Sequence, residues 1–492
     1  MQLTTLLQRI DYKCIQGNVE REVPQLIYDS REKDIKPGAL FFCIPGANFD
    51  GHDFVMTMWE KGAEIFVVSK LVEEIPEGAT ILLVEDTRYA MAHISAAWFG
   101  HPAERLKVIG ITGTKGKTTT TYLVKSILEN AGRKVGLVGT IETIIGREHI
   151  PAKNTTPESY VLQQTFAQMV EAGLDTVVME VSSQALMQHR TQGFIFDFGI
   201  FTNLSPDHIG PNEHGSFEEY ATCKALLFKQ CKVGIVNGDD PYVDIITKGH
   251  TCALETYGLK DRNQLQANDL TLVRDPGALG ISFSVSGLMN FDVILPTPGR
   301  FSVYNALCAI AICRQFSVAD VKIQSALKSA KVKGRIEKVD ISDKFTLLID
   351  YAHNAMALQS LLETLKEYQP GRLVCLFGCG GNRAKSRRFE MGEVSGKIAD
   401  LTVITSDNPR FENPLDIIAD IKTGIEKTDG MYIEIPDRRE AIAHVIEHAC
   451  EGDLIVLAGK GHEDYQEIEG VKYPMDERVI IQELLEGGLN HI

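Results

Sequence analysis

The loop "GTKGKTT", from Gly113 to Thr119, joins the apolar run "LKVIGI" to a helical pattern. Glycines allow backbone N–H groups to turn onto phosphate oxygens, and the amino end of a helix favours an anion. Lys117 is placed to reach terminal phosphates, and the Thr118 hydroxyl to bind Mg²⁺. The strict GxxxxGK[ST] spacing is not met, because Gly110 lies one residue too far from Gly116. A glycine-rich turn that only caps a helix is the alternative, but Lys followed by Thr favours a nucleotide site.

Two more polar side chains follow buried apolar runs. Glu180 ends "DTVVME", and His208 lies in "TNLSPDHIGPNEH" after the next predicted strand. A buried carboxylate is costly without a cation, and open α/β sheets bind ligands at the carboxyl ends of their strands. Taken alone, His208 also fits an ordinary loop histidine. Together with Thr118, the two residues predict a magnesium shell.

Size and composition limit the possible functions. A chain of 492 residues exceeds what one hydrophobic core serves, and its net charge of -16 argues against a non-specific nucleic-acid binder. The ten cysteines contain no CxxC pair, which predicts buried free thiols in a reducing compartment. No signal peptide and no run of about eighteen apolar residues is visible, so we expect a cytoplasmic protein without a membrane span.

Near-continuous apolar runs alternate with helical patterns along the chain, which is typical of parallel sheets covered by helices. We predict an α/β protein of three domains, with boundaries near residues 100 and 333. Residues 1–100 form a smaller α/β domain. Residues 101–333 form a central P-loop domain with a mostly parallel, doubly wound sheet and weaker, antiparallel strands near 260–290. Residues 334–492 form a Rossmann-like α/β domain.

Motifs in a fixed order cover nearly the whole chain: "GTKGKTT", "EVSS", "TNLSPDH", "GRFSVYNALCA", "GRIE", "DYAHN", "GCGGNR", "SDNPR" and "GKGHE". With these motifs in this order, the chain resembles the Mur ligase family, the ATP-dependent amide-bond ligases of peptidoglycan precursor synthesis. It is most similar to the members that join the third amino acid to UDP-N-acetylmuramoyl-L-alanyl-D-glutamate. The resemblance implies that the γ-phosphate of ATP forms an acyl phosphate on the substrate, which the incoming amine attacks.

The resemblance also implies roles for individual residues. The catalytic groups are Lys117, Glu180, His208 and Lys224. The ATP contacts are Gly113, Thr114, Lys115, Gly116, Lys117, Thr118, Thr119, Asn305, Arg335, Asp350 and His353. The contacts to the UDP-sugar and its peptide are Ser30, Asn48, Asn154, Thr155, Thr156, Ser182, Gln188 and Arg190.

Magnesium completes the implied site, with Thr118, Glu180 and His208 as ligands. Lys224 lies in "FEEYATCKALLF", and its spacing alone predicts a solvated helix residue. The family carries a CO2-derived carbamate on the matching lysine. That group would turn an ammonium into a carboxylate-like ligand of the second metal ion.

Three positions depart from the usual family pattern. "DHIGPNEHG", around His214, replaces the shorter "DHLDYHG". Lys115 stands where Asn is usual, and Ala355 follows "DYAHN" where Pro is usual. The first departure also occurs among members that add lysine.

The added amino acid is predicted from the third domain. Meso-diaminopimelate has one more carboxylate than lysine, which calls for a fixed bidentate donor such as arginine. By resemblance, the amino-acid contacts are Arg388, Asp407, Asn408, Pro409, Arg410, Gly459 and Glu463. Arg410 in "SDNPR" favours diaminopimelate, and L-lysine is the alternative.

Three other classes of protein are alternatives to the ligase. Folylpolyglutamate synthase shares the reaction scheme but has no counterpart to the N-terminal "DSR" or to "DNPR". A P-loop ATPase switch acting on a protein partner would hydrolyse ATP without an acceptor amine. A catalytically silent ligase-like module would not need Lys117, Glu180, His208 and Lys224 together. We therefore expect a monomeric enzyme whose partners are small molecules.

Overall fold

The computed structural model describes residues 1–46, 49–206, 209–210, 213–274 and 279–487. Three mainly parallel sheets and one small hairpin carry its strands, which confirms the predicted α/β class. The chain divides into two compact units, the first formed by Met1–Gln266 and Tyr304–Ile323, the second by Ala267–Val303 and Gln324–Ile492. The domain boundaries near 100 and 333 stay predictions.

The first sheet of the first unit has the strand order β1-β5-β4-β3-β2. Its strands are β1 (Lys13–Gln16), β2 (Leu26–Ile27), β3 (Ala39–Phe42), β4 (Ala63–Val68) and β5 (Thr80–Leu83). Its helices are α1 (Leu3–Leu6), α2 (Val55–Glu60) and α3 (Thr87–Trp98). Asp86 begins α3, because its carboxylate accepts from the N–H groups of Arg88 and Tyr89.

A second sheet of the first unit contains the order β13-β12-β11-β6-β10-β7-β8-β9. These strands are β6 (Lys107–Thr112), β7 (Val135–Val138), β8 (Glu142–Ile145), β9 (Glu148–Pro151), β10 (Thr176–Glu180), β11 (Phe196–Phe201), β12 (Cys231–Asn237) and β13 (Ala253–Gly258). The helices between them are α4 (Lys117–Asn130), α5 (Ser159–Glu171), α6 (Ser183–Met187), α7 (Phe217–Ala225) and α8 (Val243–Ile246). The chain enters at β6 and continues on both sides of it, so the loop after β6 lies where the strand order reverses.

Several elements follow β13 in the chain. They are β14 (Leu265–Val273), β15 (Gly280–Gly287), β16 (Phe291–Leu295), α9 (Arg300–Gln315) and α10 (Asp320–Ser329). β15 and β16 pair antiparallel, as predicted for this region. The start of β14 pairs parallel with β13, so the antiparallel prediction is wrong for this pairing. Short 3₁₀ helices cover Gly51–Phe54, Pro102–Arg105 and Leu226–Lys229.

The large sheet of the second unit has the order β17-β18-β22-β19-β20-β21. Its strands are β17 (Glu337–Val339), β18 (Thr346–Asp350), β19 (Leu373–Phe377), β20 (Leu401–Ile404), β21 (Tyr432–Glu434) and β22 (Leu454–Ala458), followed by the hairpin β23 (Tyr465–Ile468) and β24 (Val471–Pro474). Its helices are α11 (Ala355–Lys366), α12 (Ser386–Ile398), α13 (Pro414–Ile425), α14 (Arg438–Glu447) and α15 (Glu477–Glu486). Every residue of β19 and β22 is buried, which explains their continuous apolar sequences.

The cysteine prediction is confirmed in the main. All ten cysteines are free thiols, and eight of them are buried, whereas Cys14 and Cys450 are exposed. Burial raises the pKa of the Cys375 thiol to about 12, so this thiol is protonated and unreactive at neutral pH. Within the described ranges, no helix has both the length and the apolar character that a membrane span requires.

A buried ion pair fixes two functional loops of the second unit. Arg438 and Glu477 have side chains only 2% and 1% exposed, and Arg438 Nη2 lies 2.8 Å from Glu477 Oε1. The guanidinium also donates to the carbonyl oxygens of Ser406 (3.1 Å) and Ala458 (3.0 Å). These carbonyls begin the "SDNPR" and "GKGHE" segments, so Arg438 holds both to the same core.

Replacing Arg438 with methionine is expected to lower the free energy of unfolding by about 3–5 kcal/mol, because Glu477 is left as an unpaired buried charge. Urea unfolding followed by circular dichroism measures the change. The double variant Arg438→Met/Glu477→Met should recover most of the loss, since both charges are then removed. Equal stability of the single variant and the parent protein would contradict a structural role for the pair.

Candidate functional site

The phosphate loop is built on two glycines that a side chain could not replace. Gly113 has φ +146° and Gly116 has φ +84°, both in the left-handed region. A Cβ at Gly113 would collide with the Thr202 hydroxyl, and one at Gly116 with the amide oxygen of Asn305. The predicted contact residue Asn305 therefore lies directly against the loop.

The start of α4 offers donors to an anion. Its N-cap is Gly116, which has no side chain to accept from the N–H groups of the first turn. The Lys117 ammonium donates to the carbonyl oxygens of Gly113 (2.8 Å) and Thr114 (3.1 Å), which keeps it over the loop. A phosphate is the ligand that this combination of helix terminus and cation favours.

Two residues that the sequence analysis missed hold this loop in place. The Thr202 hydroxyl donates to the Lys115 carbonyl at 2.7 Å, and Asn203 Nδ2 donates to the same oxygen at 3.0 Å. Asn203 Oδ1 accepts from the Lys115 N–H at 3.0 Å. Phe201 is the register partner of Thr112, so the end of β11 lies beside the start of the loop. Their position at a strand end, in "TNLSPDH", was the signal available in the sequence.

Glu180 forms a buried acidic centre beside the loop. It is 1% exposed, and its Oε2 accepts from the hydroxyls of Thr118 and Thr140, each at 3.0 Å. Its Oε1 accepts from the Thr140 N–H at 2.8 Å. Glu180 is the register partner of Ile111, which explains why it meets the loop after β6.

These oxygen donors fit a magnesium ion. A carboxylate and a threonine hydroxyl are hard ligands of the kind Mg²⁺ prefers, and Glu180 has no cationic side chain among its recorded hydrogen-bond donors. His208, the predicted third ligand, lies outside the described residues. Across the part of the chain that the structure describes, no three His, Cys, Asp or Glu side chains group together as a metal site.

Lys224 is not a solvated residue, so the interpretation from its spacing alone is wrong. It is 2% exposed, its Nζ donates to the Gly113 carbonyl at 3.0 Å, and it lies 4.4 Å from the centre of the Tyr220 ring. Tyr220 in turn contacts the Thr114 hydroxyl at 3.0 Å. An ammonium has no lone pair for a metal, so Lys224 fits as a metal ligand only in a carbamylated form.

The predicted peptide-binding residues adjoin Glu180. The Thr156 hydroxyl donates to the Glu180 carbonyl at 3.0 Å and accepts from the Ser182 N–H at 3.0 Å. Arg190 Nη1 donates to the Thr156 carbonyl at 2.9 Å. Thr155 contacts the Thr140 hydroxyl at 3.1 Å. The "NTTP" segment is thus tied to the end of β10.

The remaining predicted contacts to the UDP-substrate are more spread out. Gln188 accepts from Arg190 Nη2 at 2.8 Å and so belongs to the same group. Asn154 is exposed. Ser30 follows β2 in the first sheet, and its carbonyl accepts from Lys61 at 2.9 Å. Asn48 lies outside the described residues.

The second unit gathers the predicted residues Arg335, Asp350 and His353 around Tyr351. The Arg335 guanidinium lies 4.7 Å from the centre of the Tyr351 ring, and His353 Nδ1 contacts the Tyr351 carbonyl at 2.9 Å. Burial, together with the Arg335 charge, lowers the pKa of His462, whose ring lies 4.6 Å from that of Tyr351, to about 4. The His462 imidazole is therefore neutral at pH 7 and offers an uncharged face for stacking.

Arg410 is held rigidly at the end of the "SDNPR" segment. Its backbone has φ +53°, and its N–H donates to the Glu467 carbonyl at 3.0 Å. Its Nε pairs with Glu467 Oε2 at 3.1 Å, and its Nη1 donates to the Gly381 carbonyl at 2.7 Å. The Arg410 side chain is 22% exposed, so part of it is accessible to a ligand.

The other residues predicted to contact the amino acid differ in their surroundings. Asn408 Nδ2 donates to Glu463 Oε2 at 2.9 Å, and Gly459 lies next to the Asp407 carboxylate. Pro409 is buried. Arg388 is 1% exposed, and its terminal nitrogens bond to Glu412 (2.8 Å) and Asp420 (2.9 Å). Its substrate contact stays a prediction, because its charge is already neutralised within the fold.

Comparison with known proteins adds independent information. Three domain descriptions match the chain: "Mur ligase family, catalytic domain" at residues 26–99, "Mur ligase middle domain" at 111–313 and "Mur ligase, glutamate ligase domain" at 334–461. A UDP-N-acetylmuramoyl-L-alanyl-D-glutamate–2,6-diaminopimelate ligase of Caldanaerobacter subterraneus subsp. tengcongensis is 44% identical over 99% of both chains.

A relative with the same activity in its name, ligase 1 of Clostridium acetobutylicum, is 42% identical over 99% of both chains. A solved structure of a UDP-N-acetylmuramoyl-L-alanyl-D-glutamate–2,6-diaminopimelate ligase covers 100% of both chains with a TM-score of 0.73 and 28% identity. Full-length matches at this identity confirm the resemblance that the motifs indicate. The chain belongs to the Mur ligase family.

Proposed function

We propose that this protein joins meso-diaminopimelate to the D-glutamate of UDP-N-acetylmuramoyl-L-alanyl-D-glutamate, with ATP converted to ADP and phosphate. The observation that carries the proposal is the position of Thr140. Its hydroxyl contacts both Glu180 Oε2, beside the phosphate loop, and Thr155, in the predicted peptide site. This contact supports a site in which a phosphate donor and a substrate carboxylate meet at one end of one sheet.

Residues of the first unit would activate the carboxylate. Lys117 and the N–H groups at the start of α4 would hold the terminal phosphates, and Arg190, whose guanidinium also pairs with Glu158 at 2.8 Å, would contact the acidic peptide. Phosphoryl transfer needs positioning and charge neutralisation more than covalent help, and these side chains supply both. Thr118 and Glu180 would hold Mg²⁺, which neutralises charge on the transferring phosphoryl group when bound.

Residues of the second unit would select the amine. Arg410 offers a guanidinium edge to the far carboxylate of diaminopimelate, and Glu463 offers a carboxylate to its far ammonium. The near amino group, as the free amine, attacks the carbonyl carbon of the acyl phosphate. Phosphate leaves with the bonding electron pair of the acyl–oxygen bond, and the nitrogen loses one proton to the released phosphate or to water as the amide forms. A site built around a charge pair disfavours L-lysine, which lacks the second carboxylate. We also propose that the enzyme acts in the cytoplasm, as expected for this family of peptidoglycan precursor enzymes, and that it is a monomer.

Phosphate release from ATP tests the proposal. The purified protein is incubated with UDP-N-acetylmuramoyl-L-alanyl-D-glutamate and with meso-diaminopimelate, L-lysine or no amine. We expect release that depends on diaminopimelate. Release that depends on lysine instead would support the ligase reaction but contradict the proposed specificity for diaminopimelate. Equal release without any amine would favour an ATPase switch.

Substitution of Lys224 by alanine is expected to lower kcat by about 10–100-fold, as for loss of a group that supports a metal site. If a carbamate acts there, short carboxylic acids such as acetate should restore part of the activity by occupying the space left by the side chain. Titration of the variant with acetate measures this. Lys229→Ala, five residues further along the chain, is the matched control and should retain the parent rate. Lack of restoration would argue against the carbamate.

A further inference from the structure

Lys460 is a buried lysine in the "GKGHE" segment, between the proposed amino-acid contacts Gly459 and Glu463. It is 0% exposed, and its ammonium donates to Asn408 Oδ1 (2.9 Å), Glu463 Oε2 (2.8 Å) and the Tyr465 carbonyl (2.5 Å). These three acceptors match the three protons of an ammonium. A buried charge is retained only where such partners compensate its desolvation, so the lysine and its acceptors form one unit.

The acceptors of Lys460 connect the two residues proposed to bind the far end of the amino acid. Asn408 Nδ2 donates to Glu463 Oε2 at 2.9 Å, while Asn408 Oδ1 also accepts from the Glu467 N–H at 2.9 Å. The Glu467 carboxylate in turn pairs with Arg410. Lys460 therefore lies at the centre of a continuous network from Glu463 to Arg410.

The network leaves one oxygen of Glu463 available. Oε2 accepts from both Lys460 and Asn408, whereas Oε1 has one recorded donor among the described residues, the Tyr351 hydroxyl at 3.4 Å. Burial raises the pKa of Glu463, but the Lys460 charge, the hydrogen bonds from Lys460 and Asn408, and the nearby His462 outweigh it, so this pKa lies below its usual range. Glu463 is thus an ionised acceptor with a fixed orientation, which suits a ligand ammonium.

We propose that Lys460 is a positioning residue for the far amino group of the diamino acid. It keeps the Glu463 carboxylate turned so that Oε1 meets the substrate ammonium, and it holds Asn408 against the strand that pairs with Arg410. The inference rests on the proposed function, since it assumes that the substrate carries a far ammonium. Lys460 itself touches no substrate atom, because all its donors are used within the protein.

The test compares two amines in the phosphate-release assay. Meso-diaminopimelate has the far amino group, and 2-aminopimelate keeps the far carboxylate but lacks that group. For the parent protein we expect a large ratio of the two kcat/KM values. In Lys460→Met this ratio should fall at least tenfold, through a raised KM for diaminopimelate. A merely structural defect would lower both kcat/KM values equally and leave the ratio unchanged, which would overturn the proposal.

Matched variants complete the test. Lys472 lies over the same Tyr465 ring, 3.9 Å from its centre, but is exposed, so Lys472→Met should keep the parent ratio. In a Glu463→Gln background, adding Lys460→Met should change the ratio of the two kcat/KM values less than twofold, because Lys460 acts through the Glu463 carboxylate. Independent effects of the two substitutions would overturn the proposal. Lys460→Gln, which retains hydrogen-bond donors without the charge, replaces Lys460→Met if the latter fails to fold.

Failure of the proposed function is distinguishable from failure of this inference. If the parent protein shows no phosphate release that depends on diaminopimelate, the proposed function is wrong. If the parent protein uses diaminopimelate and Lys460→Met discriminates as well as the parent, only the role of Lys460 is wrong.

Discussion

Replacing Lys117 with alanine is expected to lower kcat for phosphate release by about 10²–10³-fold, the usual loss when one preorganised electrostatic contact to a transition state is removed. The Lys117 ammonium lies over the phosphate loop and donates to the carbonyl oxygens of Gly113 and Thr114. It is therefore in place before the nucleotide binds. Steady-state kinetics at saturating ATP, diaminopimelate and UDP-substrate measure the change.

Lys125→Ala is the matched control for this prediction. Lys125 lies on the same helix, two turns further on, and its Nζ pairs with Glu129 at 2.5 Å. Removing it changes the charge of α4 by the same amount, but away from the loop, so kcat should stay within about twofold of the parent protein. A Lys117→Ala variant with parent kcat would show that the loop does not act on the transferring phosphate.

The buried strands of both units and the phosphate loop could be predicted because their sequences leave few alternatives. β10 and β22 are buried along their whole length, so "TVVME" and "LIVLA" are continuous apolar runs. The loop glycines are required by positive φ angles and close contacts, which no other residue type satisfies. Where one residue type is physically necessary, the sequence reveals the structure.

The contacts that organise the site could not be predicted in this way. Thr140 meets Glu180 forty residues further along the chain, and Thr202 meets Lys115 across eighty-seven residues. A threonine at the end of a strand is compatible with many environments, so its partner depends on the register of strands that are distant in sequence. Lys224 was misjudged for a related reason: α7 is only nine residues long, and its spacing alone did not identify the buried face.

Arg388 illustrates a further limit. Its partners Glu412 and Asp420 are twenty-four and thirty-two residues away, so the sequence gives no sign that the guanidinium is neutralised inside the fold. The motif match alone assigned it to the substrate. Arg410 differs, because it pairs with one carboxylate, that of Glu467, and its side chain is 22% exposed, whereas that of Arg388 is 1% exposed.

Replacing Arg410 with alanine is expected to lower kcat/KM for diaminopimelate by about 100-fold, equivalent to about 3 kcal/mol for a lost charged hydrogen-bonding contact. The effect should lie in KM, with the dissociation constant of the UDP-substrate unchanged. Arg410→Lys should restore little, because an ammonium cannot present two parallel donors to a carboxylate. Kinetics with varied diaminopimelate, together with calorimetric titration of the UDP-substrate, measure the two quantities.

The preference for diaminopimelate over lysine tests the role of Arg410 more directly than the rate with diaminopimelate alone. In the parent protein, bound L-lysine would leave the Arg410 donors proposed to bind the far carboxylate without that acceptor, and this loss would disfavour lysine. Arg410→Ala removes that penalty, so the preference for diaminopimelate over lysine should shrink as the rate with diaminopimelate falls. Arg439→Ala is the control, since Arg439 pairs with Glu483 on the surface of the same unit and should leave the preference unchanged. An Arg410→Ala variant that kept the full preference would place the recognition of the second carboxylate elsewhere in the second unit.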